Sequence, residues 1–218
     1  MGKNQILTKE QKIILDEVSR NEFLQKNFYF TGGTALSFFY LQHRYSEDLD
    51  FFTNETFDTQ TVFAVFDEWS KKYHFTIEPN FAEIVYILNL NFKNNTKLKT
   101  DFARYPYQSL EKRKVVDGIL VDSLTDIAVN KLFTINQRAN IKDYVDLYFL
   151  LRRYTVWDLI DGVRVKFKVK LEPYIIASDF TMIEGFSDMP RMIKPLTLDK
   201  LKTFFLEKAK QLGKMVTE

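Results

Sequence analysis

Phe28-Tyr29-Phe30-Thr31-Gly32-Gly33-Thr34-Ala35-Leu36, followed by Asp48-Leu49-Asp50-Phe51-Phe52, decides the fold of this 218-residue chain. The aromatic triplet reads as a short strand, the two glycines as a tight turn, and residues 35–42 as a helix that starts beyond them. Without a Cβ, a glycine lets the backbone turn sharply and approach an anion, and the N–H groups that open the next helix are donors suited to phosphate. Thr34 adds a hydroxyl at the same place. A diglycine between strand and helix is commonly only a turn, so a second element has to carry the chemistry.

The Asp48-Leu49-Asp50 run supplies it. On an extended strand over residues 49–52, Asp48 and Asp50 fall on one side and Leu49 and Phe51 on the other. Two carboxylates on one strand face repel each other unless a cation lies between them, whereas an isolated Asp-x-Asp is ordinarily an exposed strand edge. A hard cation beside a phosphate-cradling turn is what phosphoryl- and nucleotidyl-transfer chemistry needs. A third carboxylate, Asp101, lies in the strand-like run 98–103 and reaches the same place if that strand neighbours the first. Spacing alone does not separate it from Glu83 or Asp117.

Outward from this segment, residues 8–26 have helical spacing, with Thr8 as N-cap, and residues 61–73 have it again. Strand-like runs follow at 75–77, 84–90 and 98–103, with Asn94-Asn95 as a turn. Beyond about residue 122 the pattern turns helical, over 123–138, 143–153 and 198–215, with shorter helices over 157–163 and 172–179. The expectation is an α+β fold with a mixed sheet over 1–118 and a helical region over 119–218, divided at Asp117-Gly118.

Composition narrows the chemistry. The chain has no cysteine, which removes disulfides, thiolate zinc sites and cysteine nucleophiles, and only His43 and His74 are available as imidazole ligands. Any metal must therefore sit on carboxylate oxygens, as Mg²⁺ or Mn²⁺ does. The 21 Phe and 11 Tyr point to a core rich in rings. Net charge is only +2, but residues 164–214 hold eleven Lys or Arg against six Asp or Glu, either a solvated helical surface or a surface for RNA. No apolar run is long enough for a signal peptide or a membrane span, so a cytoplasmic protein without membrane partners is expected.

Several later residues have two readings. His43 and Arg44 precede the acidic strand and suit either a phosphate contact or surface solvation. Ser123-x-x-Asp126 is a helix-capping pattern as well as a candidate site element. Asp143 falls in a first helical turn, where the macrodipole stabilises an acid, and Asp146 shares its helix face and calls for a cation such as Lys131 or Lys142. Lys112-Arg113-Lys114 and Arg152-Arg153 are basic clusters that suit RNA or a nucleotide, or simply water.

Thr31-Gly32-Gly33-Thr34-Ala35-Leu36, then His43-Arg44-Tyr45-Ser46-Glu47-Asp48-Leu49-Asp50-Phe51-Phe52, resembles the first motif of the AbiEii/AbiGii toxin family, a branch of the polymerase-β-type nucleotidyltransferases. Leu98-Lys99-Thr100-Asp101-Phe102 is similar to the family's strand bearing a third acid. Asp126 through Asn130-Lys131-Leu132, then Arg138, and Lys142-Asp143-Tyr144-Val145-Asp146-Leu147, look like its later helical motifs. The matched segments run from about residue 28 to 151, and the C-terminal third aligns to no motif. Thr34 stands where Ser is usual, keeping the hydroxyl, and Lys142 where Arg is usual, losing the planar fork.

The resemblance implies a polymerase-β-like core whose Asp48, Asp50 and Asp101 bind Mg²⁺ or Mn²⁺ and act catalytically. It implies that Gly32, Gly33, Thr34 and Ser46 hold the nucleotide, with Lys131 neutralising triphosphate charge and Asp143 and Asp146 completing the site. It implies transfer of a nucleoside monophosphate from an NTP to an acceptor hydroxyl, with RNA such as a tRNA end favoured, by a toxin of a type IV toxin–antitoxin or abortive-infection (phage-defence) system paired with an antitoxin. The alternatives are a small-molecule or protein acceptor, or a non-catalytic nucleotide-binding module; the intact acidic set favours catalysis.

Overall fold

A computed structural model describes residues 6–214 of the chain. Among them, strands β1 (Tyr29–Thr31), β2 (Leu49–Thr53), β3 (Phe75–Ala82), β4 (Val85–Phe92), β5 (Lys97–Arg104), β6 (Lys114–Val116) and β7 (Ile119–Val121) form one mixed sheet in the order β3-β4-β5-β2-β1-β7-β6. β1 runs antiparallel to β2 and parallel to β7, and β2 runs parallel to β5. The last pairing needs a long crossover, which helix α4 (Thr59–Tyr73) and the β3–β4 hairpin provide. The expected α+β class with a mixed sheet is what the chain adopts.

Two compact units divide the chain. The first holds the described residues up to Tyr40, together with Ser46–Gln108 and Lys112–Ser123; the second holds Leu41–Tyr45, Ser109–Glu111 and the described residues from Leu124 on. The main division between these units falls after Ser123, a few residues beyond Asp117-Gly118. Those two residues are the left-handed turn of the β6–β7 hairpin, two three-residue strands too short to declare themselves by alternation.

In the first unit, helix α1 (Lys9–Val18) opens with a complete capping box between Thr8 and Gln11. The expected single helix over 8–26 is interrupted, because the Asn21 side chain accepts from the Leu24 N–H and caps a separate α2 (Glu22–Asn27). The helix after the diglycine starts at Gly32 itself, as α3 (Gly32–Ala35), and widens into a π-helical turn over Leu36–Leu41. The core follows from register. Phe30 pairs with Phe51 and Phe51 with Phe102 across three adjacent strands, so their rings meet at 5.2 and 5.3 Å, with Phe66 of α4 edge-on to Phe102 at 5.6 Å. Burial of each ring contributes about 1.5–3 kcal/mol.

The second unit consists mainly of α5 (Leu124–Gln137), α6 (Ile141–Leu150), α7 (Val156–Phe167), α8 (Pro173–Thr181) and α9 (Leu198–Lys214). Residue 215, the expected end of the last helix, lies outside the described residues. Phe205 of α9 packs edge-on to Tyr144 of α6 at 5.1 Å and to Phe180 of α8 at 5.0 Å, and all three are fully buried. No helix among the described residues is long and apolar enough to cross a membrane.

Candidate active site

The sheet register that stacks Phe51 on Phe102 also places Asp50 directly beside Asp101, one residue back and on the opposite face. Of the three candidates, Asp101 is the one that pairing sets beside Asp50. Glu83 lies exposed at the β3–β4 turn and Asp117 exposed at the β6–β7 turn, both with left-handed backbone.

Gly32 is dictated by Asp50. Its φ is +73°, and a Cβ built there would lie 2.0 Å from Asp50 Oδ2. The turn thus closes onto the carboxylate with no room for a side chain. Thr34, expected to offer its hydroxyl to a phosphate, is buried and donates instead to the Asp48 carbonyl at 2.5 Å. It fastens the start of the acidic strand to the turn. Gly33 is buried behind Gly32 at the helix start. Ser46 lies half-buried just before the acidic strand, and its carbonyl, like that of Glu47, accepts from Gln11 Nε2, at 2.9 and 3.0 Å. Gln11 is fully buried and also completes the α1 capping box. Its second role, 35 residues away along the chain, left no signal in the sequence.

Asp101 is held by Lys99, two residues earlier on the same strand face, whose ammonium donates to Asp101 Oδ2. The other oxygen, Oδ1, is buried without a hydrogen-bond partner among the described residues. Burial raises the Asp101 carboxyl, with the charge of Asp48 adding to the effect and the Lys99 hydrogen bond opposing it. For Lys99, burial pulls the ammonium down, but the bond to Asp101 and the charges of Asp101, Asp48 and Asp50 outweigh it and raise the group. Both partners shift toward their protonated forms, as they must in a cluster with more negative than positive charge.

An all-oxygen donor set with a buried, unpartnered carboxylate oxygen and a deficit of positive charge fits a hard divalent cation. As they stand, no three acidic or histidine side chains among the described residues are gathered into a formed cage. Beside the cluster lies a cleft of about 480 Å³ lined by Glu47, Asp48, Glu78, Asn89, Asn91 and Lys99, among others.

In the second unit, Asp146 is the centre of a charge network. Arg44 grips it with two hydrogen bonds, Nε to Oδ1 at 2.6 Å and Nη2 to Oδ2 at 2.8 Å. His43 Nε2 meets Oδ1 at 2.6 Å, and Lys131 Nζ lies 2.7 Å from Oδ2. Lys131 also donates to Asp143 at 2.7 Å, and Asp143 takes a longer bond from Arg138 at 3.3 Å. Asp146 is 0% exposed and Arg44 2%, whereas Lys131 keeps 12% of its side-chain surface in solvent.

This arrangement corrects the expectation for His43 and Arg44 and shows what holds Asp146 and Asp143. His43 and Arg44 are neither solvated nor ready for a phosphate; they are buried as partners of Asp146. Asp146 is enclosed, with its carboxylate taken up by Arg44, His43 and Lys131. Asp143 is equally buried and accepts from Lys131. The reason is an extended segment: the carbonyl of His43 accepts from the N–H groups of Ile193 and Lys194, both at 2.9 Å, and Tyr45 N–H donates to Arg191 at 2.8 Å. The C-terminal third thus supplies the backbone that seats His43 and Arg44.

The electrostatics follow from burial and pairing. For Asp146, burial would raise the carboxyl, but Lys131 and Arg44 hold it well below the usual carboxylate range. Burial lowers Lys131, and Asp146 with Asp143 more than restores it, leaving the ammonium above its ordinary value. His43 is lowered, chiefly by burial, against the pull of Asp146. A neutral ring donates its Nε2–H to Asp146 and leaves Nδ1 buried without a partner among the described residues.

Two other basic or acidic candidates also turn inward. Capping is not the sole role of Asp126: its carboxylate accepts the Leu110 and Glu111 N–H groups and pairs with buried Lys166 at 2.6 Å. Arg113, from the basic run 112–114, bonds Asp122 at 3.2 Å and lies 3.4 Å over the Tyr29 ring.

This topology and turn define a nucleotidyltransferase-type fold, and solved structures share it. JHP933 from Helicobacter pylori superposes with a TM-score of 0.57 at 19% identity, covering 97% of this chain and 95% of that one. MenT4, a nucleotidyltransferase toxin from Mycobacterium tuberculosis H37Rv, superposes with a TM-score of 0.54 at 15% identity, covering 98% and 90%. An uncharacterized protein of Aquifex aeolicus (strain VF5), aq_aa25, is 33% identical over 157 residues, 70% of each chain. Residues 13–213 match the family described as "Nucleotidyl transferase AbiEii toxin, Type IV TA system", and the chain belongs to that family. It is a nucleotidyltransferase.

Proposed function

We propose that the protein uses a divalent cation, Mg²⁺ or Mn²⁺, to transfer a nucleoside monophosphate from an NTP to an acceptor hydroxyl, with RNA such as a tRNA end as the acceptor. The observation that carries this reading is the register pair Asp50–Asp101, with Asp48 immediately before the same strand and a glycine turn cut away to admit Asp50. Asp48, Asp50 and Asp101 would hold the cation, which when bound neutralises phosphate charge and polarises the reacting centre. Gly32 and Gly33 would present the N–H groups that open α3 to phosphate oxygens.

Lys131 would oppose triphosphate charge. Two of its contacts are to Asp143 and Asp146, which leaves a third N–H of the ammonium for an incoming oxygen. Ser46 would join the nucleotide-binding set through the loop that Gln11 holds. The eleven Lys or Arg against six Asp or Glu in residues 164–214 favour RNA over a small neutral acceptor. Family membership supports a toxin role and a cognate antitoxin in a type IV system.

The test is incubation of the purified protein with Mg²⁺, each α-labelled NTP and total cellular RNA, beside an Asp48→Ala/Asp50→Ala control. Label on RNA that requires both carboxylates is the expected result. Label that moves only to protein or to a small molecule would reassign the acceptor, and transfer that persists in the double variant would remove the carboxylates from the chemistry.

A further inference from the structure

The carboxylate cluster carries its own cation. Lys99 and Asp101 lie on one face of β5, and the ammonium donates to Asp101 Oδ2 while Oδ1 stays buried and unpartnered. Lys99 is only partly covered, with 38% of its side chain exposed, and it borders the cleft of about 480 Å³ shared with Asp48, Asn89 and Asn91. It therefore has somewhere to go. A surface lysine bonded to a carboxylate is common and contributes little. Here the carboxylate is one that a divalent cation would use, and the same three acids fail to converge while the ammonium is in place.

We infer that Lys99 is a tethered counter-cation: it neutralises Asp101 until a divalent cation takes that carboxylate, and it is then released into the adjacent cleft. This rests on the cation reading of the cluster given above. One charge-assisted hydrogen bond has to be exchanged for the metal, so the lysine weakens ion binding and keeps the acids from standing unopposed in the resting protein.

The experiment is direct Mn²⁺ binding to the full chain without nucleotide, by calorimetry and by the paramagnetic resonance of the free ion. It compares the wild type with Lys99→Met, Lys99→Gln, Lys97→Met and Asp101→Asn. Lys97 lines the same cleft from the same strand face, and its substitution removes an equal charge without removing the bond to Asp101. Both Lys99 variants should bind Mn²⁺ about tenfold tighter or more, Lys97→Met should stay near wild type, and Asp101→Asn should bind more weakly. If neither Lys99 variant binds more tightly while Asp101→Asn still weakens binding, or if Lys97→Met tightens it equally, the counter-cation role falls and the cation site stands. If Asp101→Asn binds Mn²⁺ as the wild type does, the cation site itself falls and takes this role with it.

Discussion

Replacing Asp146 by alanine is the most demanding test of the network in the second unit. The carboxylate is fully enclosed and receives two bonds from Arg44, one from His43 and an ion pair from Lys131. Lys131 would keep Asp143, and Arg44 would keep its Nη1 bond to the Tyr45 carbonyl at 2.9 Å. What remains is a guanidinium 2% exposed without its counter-charge. Breaking a buried pair by removing one partner costs about 3–5 kcal/mol. For a chain of this size each kcal/mol moves Tm by about 2–4 °C, so the variant should melt about 6–20 °C lower. Asp146→Asn, which keeps the volume and one acceptor, should fall between. Removing both charges, with Arg44→Met and Asp146→Leu, should recover much of the loss, because apolar groups can replace a buried pair at little cost. Scanning calorimetry and urea unfolding would measure all three. An Asp146→Ala protein that melts within about 2 °C of wild type, less than 1 kcal/mol on the same scale, would refute the account.

Two further outcomes follow from the geometry. Gly32→Ala places a methyl on the Asp50 carboxylate at a φ of +73°; the strain is about 1–3 kcal/mol. Because the carboxylate must shift, nucleotide transfer should drop about 100-fold, and activity retained within about threefold of wild type would count against the close fit. His43 sits below the ordinary histidine value because it is buried, so below its unfolded value the unfolded chain binds the proton more readily. Stability should therefore be full above about pH 6.5 and decline as pH falls toward the native value. The Asp146 contribution, by contrast, is present above the unfolded carboxylate value of 3.8 and is lost only in a lower window. Melting curves from pH 4.5 to 8 should show a flatter slope below about pH 6.5 for His43→Gln; an unchanged slope would mean that another group titrates there.

Local chemistry made the first half of the site readable. A strand running into Gly-Gly, and two aspartates at i and i+2 where the next strand begins, are patterns within a few residues of one another. Asp101 needed one more fact, which strand lies beside β2, and that comes from the sheet rather than from spacing. The second half was harder to read for the same reason. Arg44 meets a carboxylate 102 residues away and its backbone lies against Met192, so neither its burial nor its partner has a local signature. Gln11 completes the capping box of Thr8, but nothing nearby announces that its amide also holds the loop before Asp48. The π-helical turn at Leu36–Leu41 has no local signature, because Leu-Ser-Phe-Phe-Tyr-Leu is apolar almost throughout and shows no 3.6-residue period.

The segments Leu41–Tyr45 and Ser109–Glu111 belong to the second unit although they are encoded within the stretch that builds the first. During synthesis, Arg44 emerges long before Asp146 and the strand partner near Met192, and Leu110 before the Asp126 carboxylate that accepts its N–H. The helical unit is therefore not a transferable cassette. A gene fission or a recombination breakpoint at Leu124 would deliver five helices with their acidic hub stripped of its guanidinium and the Asp126 carboxylate of its loop partners.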